Sequence, residues 1–239
     1  MTRRQRTLMD RAYQEIRQRY MTLQLRPGDW IDDLKISEEM QLSRTPVREA
    51  LFLLASEGLV LVRPGGGFLV RPLDLIDTSN LFEAHVVVAK AVARLAALRA
   101  TPEDLKELRA ADAAVQQAIL RRDPAGIAAD NSCLHRLEAT AAHNEYFMRL
   151  ACQIHDQEQR LGYLAFGGTD DWDQIHDHFV LVQKDHSELI QAYEDRDPDT
   201  AEAIATRHVQ LFRKRIMEFF ARSDTDTMDL SGDVLTFGS

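Results

Sequence analysis

Cysteine, proline and glycine are scarce in this chain, at 2, 7 and 11 of 239 residues. With only Cys133 and Cys152, a disulfide framework has no basis, and a reducing, cytoplasmic setting is expected. Little proline and glycine in a chain that is 45% apolar excludes a low-complexity or fibrous protein. No apolar run approaches the roughly 20 residues needed to span a bilayer, so no membrane partner is expected. The opening residues, Met1 to Arg6, are polar and basic, and no signal peptide is expected there. Excess positive charge is also missing. A net charge of −9 argues against a protein that coats nucleic acid along its length.

The charge is unevenly spread. Residues 1–72 hold 12 Lys+Arg against 9 Asp+Glu, and the remainder holds 17 against 29. The sign changes near Arg71-Pro72. This suggests a slightly basic module over residues 1–72, an acidic one over 73–222 and a polar, mobile tail over 223–239.

The basic module carries the most informative stretch, Ser43-Arg44-Thr45-Pro46-Val47-Arg48-Glu49-Ala50-Leu51. Thr45 can cap a helix here, and Pro46 suits its first turn, where a missing N–H costs nothing. Val47, Ala50, Leu51 and Leu54 share one face and are expected to pack inward. Arg44 and Arg48, four apart, are expected to point outward together near the helix start. Guanidinium groups there can fork onto a guanine edge or a phosphate. Before this helix, Leu8, Ala12, Ile16 and Tyr20 mark an amphipathic helix over 8–21, and Arg26-Pro27-Gly28-Asp29 reads as a turn. A short helix follows around Asp33–Met40. After it, Leu59–Val62 and Phe68–Val70 read as two strands joined by a turn at Arg63-Pro64-Gly65-Gly66-Gly67. Helix-turn-helix plus a two-stranded wing is a winged helix.

These residues resemble the GntR family of bacterial transcription regulators. The resemblance covers residues 8–72 and rests on SRTPVREAL, the Glu57-Gly58-Leu59-Val60 turn and the glycine wing. It implies that Ser43, Arg44, Thr45 and Arg48 contact double-stranded operator DNA, with Gly65 and Gly66 at the wing tip. One departure is Gln41, where the family often has glycine.

From Leu75 to Arg222 no period-two strand is recognisable, and the region reads as a bundle of six to seven helices. Helices are expected near 76–98, 102–121, 124–142, 145–165, 173–194 and 198–221, with breaks at Thr101-Pro102, Asp123-Pro124, His143-Asn144, Phe166–Thr169 and Asp197-Pro198. The fold class is therefore mainly α. His135, His186 and His208 each fall on an apolar face of a different helix. Burying three imidazoles separately carries three desolvation costs, and convergence on a divalent cation would satisfy all three. Asn131 precedes His135 by one turn, close enough to share the ion. Arg160 is a further candidate for effector contact, though a surface charge would read the same way. His155 is ambiguous, and His176 and His178 lie near an acidic helix start. The cysteines read as small core residues.

Asn131-x-x-x-His135, then His186, then His208 is similar to the FCD effector domain of one GntR branch. That resemblance implies a metal site at Asn131, His135, His186 and His208, holding zinc, nickel or manganese, with a small carboxylate effector bound over it. Two positions depart from the family. Asn131 stands where aspartate is usual, which removes a negative charge and weakens the site. His85 stands where an arginine commonly helps hold the effector.

A metabolite-responsive regulator is expected, acting as a homodimer on a near-palindromic operator, and a repressor by family habit. It is not expected to be an enzyme. Two alternatives stay open: a metal-dependent enzyme using the three histidines to activate water, and an effectorless DNA-binding protein with structural histidines.

Overall fold

A computed structural model describes residues 3–167 and 172–223. They divide into two compact units, one reaching Leu75 and the other beginning at Ile76. The polar tail expected over 223–239 lies outside the described residues beyond Ser223, as do Gly168 and Thr169 of the break expected over Phe166–Thr169.

The first unit runs α1 (Arg3–Met21), β1 (Trp30–Ile31), α2 (Asp33–Glu39), α3 (Arg44–Ser56), β2 (Val60–Val62) and β3 (Phe68–Val70). Ala12, Ile16 and Tyr20 recur every four residues on α1 and are fully buried. They meet the apolar face of α3, where Val47, Ala50, Leu51 and Leu54 are equally buried. Each such leucine contributes roughly 1.5–3 kcal/mol of transfer free energy. Asp32 caps α2 by accepting from the N–H groups of Leu34 and Lys35. Arg11 of α1 donates to the Met40 carbonyl at the far end of α2.

Two details differ from expectation. The cap of α3 is Ser43, not Thr45, which lies inside the first turn and is exposed. Pro46 still occupies that turn, so its missing N–H removes no helical bond. The wing belongs to a three-stranded antiparallel sheet in the order β1-β3-β2, because Trp30 and Ile31 pair with Leu69 and Phe68. A two-residue strand carries no periodicity, so only this distant pairing reveals it. Gln41, in the turn before α3, has φ +55°. It takes up the left-handed conformation that glycine adopts more cheaply.

The second unit is helical throughout its described residues: α4 (Leu75–Arg99), α5 (Pro102–Leu120), α6 (Pro124–Ala141), α7 (Glu145–Gly167), α8 (Asp173–Glu194) and α9 (Pro198–Ser223). The helix starts have local causes. Thr101 and Asp104 form a reciprocal capping box on α5, and Asp123 caps α6 ahead of Pro124. Asn144 accepts from Tyr146 and Phe147 at the start of α7, and Asp197 accepts from Asp199 and Thr200 at the start of α9. One apolar core joins Ala93, Leu108, Val115, Leu134, Ile190 and Tyr193, drawn from four helices and closed by Ile204 of α9. The cysteines are not core residues: both are free thiols, Cys133 is exposed and Cys152 is half-buried.

Candidate functional site

The winged-helix unit presents its arginines through a carboxylate. Asp33, at the start of α2, is buried and accepts from Arg44 Nη2 and Arg48 Nη1, each at 2.7 Å. The two guanidinium groups are thus on one side of α3, as their spacing requires, yet both are tied to α2 instead of projecting freely. Arg44 remains 54% and Arg48 38% exposed at the side chain. Arg48 also lies 5.2 Å from the ring centroid of Phe68 in β3. Burial alone would raise the Asp33 carboxyl, but the hydrogen bonds from Arg48 and Arg44 outweigh it and hold the group below its usual range. Ser43 and Thr45 are exposed beside the arginines. At the wing, Gly65, Gly66 and Gly67 have φ between +88° and +100°, and nothing stands within 4 Å of where a Cβ on Gly65 or Gly66 would lie. The tip is open for close approach to another backbone. Arg63 stacks over exposed Trp30, 5.9 Å from its ring centroid.

In the helical unit His135 (α6), His186 (α8) and His208 (α9) converge. All are buried, and one ring nitrogen from each lies within 4.8 Å of the others. The orientation of the rings is systematic. His135 Nδ1 is 3.0 Å from Glu138 Oε2, His186 Nδ1 is 3.3 Å from Asp112 Oδ1, and His208 Nδ1 is 3.5 Å from Asp185 Oδ2. A carboxylate behind each Nδ1 leaves each Nε2 for the centre. There His208 Nε2 and His135 Nε2 are 3.2 Å apart, and His186 Nε2 is buried with no hydrogen-bond partner among the described residues. Two nitrogens each bound at about 2.0–2.1 Å to one tetrahedral ion lie roughly 3.3 Å apart, so this spacing suits shared coordination.

The protonation states agree with that chemistry. Burial, reinforced by the neighbouring histidines, holds His186 well below its ordinary range, and burial also lowers His208 despite Asp185. Neutral imidazole is the metal-binding form. Burial would raise Glu138, but His135 and the hydroxyl of Tyr193, which donates to it, pull it to about 2. Burial raises Asp112, which also accepts from Gln116.

Asn131 lines the same cavity as His135 and His208, an empty space of ≈ 450 Å³ partly open to solvent. His85 lines it too, buried on α4. His178 also faces the cavity, half-buried beside Phe166, whereas His176 is exposed. Arg160 is not a surface charge: it is fully buried on α7, and it lines neither of the two adjoining cavities. Its helical face turns to the core, which one arginine in a charged heptad does not disclose.

The carboxylates behind the histidines went unread in the sequence. A signal existed for Glu138, because His135-x-x-Glu138 places an acid one turn after a histidine, as His155-x-x-Glu158 does on α7. Asp112 gives no local signal, since its partner His186 is 74 residues away. His155 and Glu158 are both buried on α7 and form a second group with His85.

Comparison with known proteins matches residues 8–70 to the family described as bacterial regulatory proteins, gntR family, and residues 80–211 to the FCD domain. The Nta operon transcriptional regulator of Aminobacter aminovorans is 24% identical over 214 residues, covering 87% of this chain and 94% of that protein. The Uxu operon transcriptional regulator of Escherichia coli is 27% identical over 240 residues, covering 89% and 90%. Among solved structures, E. coli McbR/YncC superposes with a TM-score of 0.75 at 18% identity, covering 90% of this chain and 98% of that one, a likeness of fold.

Proposed function

The chain belongs to the gntR family of bacterial regulatory proteins and carries an FCD domain, and on that footing we propose a regulator whose grip on operator DNA is set by a small carboxylate at a histidine-lined cation site. Membership makes the coarse part plain: this is a DNA-binding transcription regulator with an effector domain, and not an enzyme. No helix among the described residues is long and apolar enough to cross a membrane. A cytoplasmic location is part of the proposal.

The observation that carries the finer proposal is the shared orientation of three buried imidazoles, each with Nδ1 toward a carboxylate and Nε2 toward a common centre. His135, His186 and His208, with the amide oxygen of Asn131, would hold the ion. Three nitrogens and a neutral oxygen favour zinc or nickel over manganese. A bound divalent cation would supply positive charge and an open coordination position to an anionic effector. Glu138 and Asp112 orient the rings of His135 and His186, Asp185 lies 3.5 Å from His208 Nδ1, and His85 faces the effector across the cavity.

In the DNA-binding unit, Arg44 and Arg48 read base edges from the start of α3, with Ser43 and Thr45 on the adjacent phosphates. Gly65 and Gly66 let the wing approach the neighbouring groove. Two copies of the chain, each placing one α3 in a half-site, would read a near-palindrome and block transcription there. The effector changes operator affinity, and by linkage DNA changes effector affinity by the same factor.

The test pairs two variants on the duplex recovered by selection from a random pool. His208→Ala is expected to lose bound metal and the response to carboxylates while keeping operator affinity. Arg48→Ala is expected to keep metal and lose about 1–3 kcal/mol of discrimination between operator and scrambled DNA. A His208→Ala protein that still answers the effector as the native chain does would overturn the sensor mechanism.

A further inference from the structure

His85, His155 and Glu158 have no role in the site described above beyond His85 facing the cavity. We propose that these three residues form a second divalent-cation site, so that the chain holds a pair of neighbouring cations. One ligand atom from each lies within 4.8 Å of the other two, and all three residues are buried. His155 and Glu158 are three apart on α7 and so share a face. His85 arrives from α4. Its Nδ1 is 2.6 Å from Glu158 Oε1, and His155 Nδ1 is 3.4 Å from Glu158 Oε2.

The set differs in construction from the first. There each imidazole has its own carboxylate behind it, and the ring nitrogens face one another. Here two imidazole nitrogens face a single carboxylate, which offers one oxygen to each. No residue is common to both groups. Yet they abut: the rings of His135 and His155 stack with centroids 5.1 Å apart and planes 17° apart. His85 and His135 line the same cavities.

The ligand chemistry is suitable. Burial lowers His155 against the opposing hydrogen bond with Glu158. Burial opposes ionisation of Glu158, but its contact with His85 and its hydrogen bonds with both imidazoles bring it down to about 2. Two nitrogens and one anionic oxygen suit zinc, cobalt or nickel and leave a coordination position open. A plain hydrogen-bonded triad is the competing account, and it binds no metal. If both groups hold ions, two adjacent cations facing one cavity select a ligand with two oxygen donors, one per cation, over a ligand with one. That last step rests on the cation assignment of the first group; the second site does not.

The experiment counts ions. Metal-free full-length protein is loaded with zinc, and separately with cobalt(II), and bound metal is measured after gel filtration. Two ions per chain are expected for the native protein. Glu158→Gln and His85→Gln are each expected to retain one, His208→Ala one, and the His85→Gln/His208→Ala double variant none. A single ion that His208→Ala removes and Glu158→Gln leaves overturns the second site. A single ion with the opposite pattern upholds it and overturns the first. No bound metal overturns both. Should the Glu158 variant fail to fold, native crystals soaked in zinc decide: anomalous density beside His85 and Glu158 supports the site, and density at the three-histidine centre alone refutes it.

Discussion

Replacing Asp33 with asparagine tests how the reading arginines are held. Asparagine keeps the size of the side chain and removes its charge. Two ion pairs weaken at once, Arg44–Asp33 and Arg48–Asp33, both at 2.7 Å. The arginines are partly in solvent, so each pair contributes only about 0.2–1 kcal/mol. The carboxylate side chain is just 12% exposed, which places the sum near the upper end, about 1–2 kcal/mol. In a unit of this size each kcal/mol lowers the melting temperature by roughly 4–8 °C. The Asp33 carboxyl is held below its ordinary range, so this stabilisation is complete above the normal carboxylate pKa. It is lost as pH falls through the depressed value, so assays at pH 7 and pH 5 should agree. On DNA the effects divide. Removing a negative charge frees two guanidinium groups for phosphates, so affinity for scrambled duplex rises. The slope of log affinity against log salt steepens by up to about 0.9 for each freed cation. The arginines also lose a fixed direction, so the ratio of operator to scrambled affinity falls. Fluorescence anisotropy on both duplexes across a salt series measures all three quantities. A variant with native selectivity and a native salt slope would show that Asp33 does not position these side chains.

Three further outcomes are expected. Asn131→Asp adds a negative charge to the proposed first cation site and should tighten zinc by about tenfold in a competition titration; a weaker site would remove Asn131 from the ligand set. Gln41→Gly relieves a left-handed residue and should stabilise the first unit by about 1 kcal/mol in chemical denaturation, a gain that vanishes if the turn takes another conformation. His178 is pushed down to about 3 by burial and then by the charges of Arg215 and His208, so below pH 6.5 the unfolded chain binds a proton that the folded chain refuses. Metal-free protein should lose stability from about pH 6.5 downward, and His178→Phe should flatten that slope by of order 1 kcal/mol per pH unit. An unchanged slope would mean the ring is protonated in the folded state.

Much of the fold was legible because its causes are local. Helix starts at Thr101, Asp123, Asn144 and Asp197 announce themselves through a capping side chain, and often through the proline that follows. The face of α3 that packs inward follows from 3.6-residue periodicity alone. The inward side of His135, His186 and His208 was legible for the same reason. The third strand was not, because two residues have no period and Trp30 and Ile31 are strand only through Leu69 and Phe68.

The amino-acid order by itself determined the helices and the two wing strands, the winged-helix signature and the helix faces on which the histidines lie, since these depend on neighbours within a few residues. Only the folded chain decided what those side chains meet. Asp33 reaches Arg44 and Arg48 from a different helix, Asp112 stands behind His186 across 74 residues, and Glu158 faces both His85 and His155. Such partners are chosen by helix packing, and electrostatic coupling depends on distance in space, which spacing along a chain does not encode.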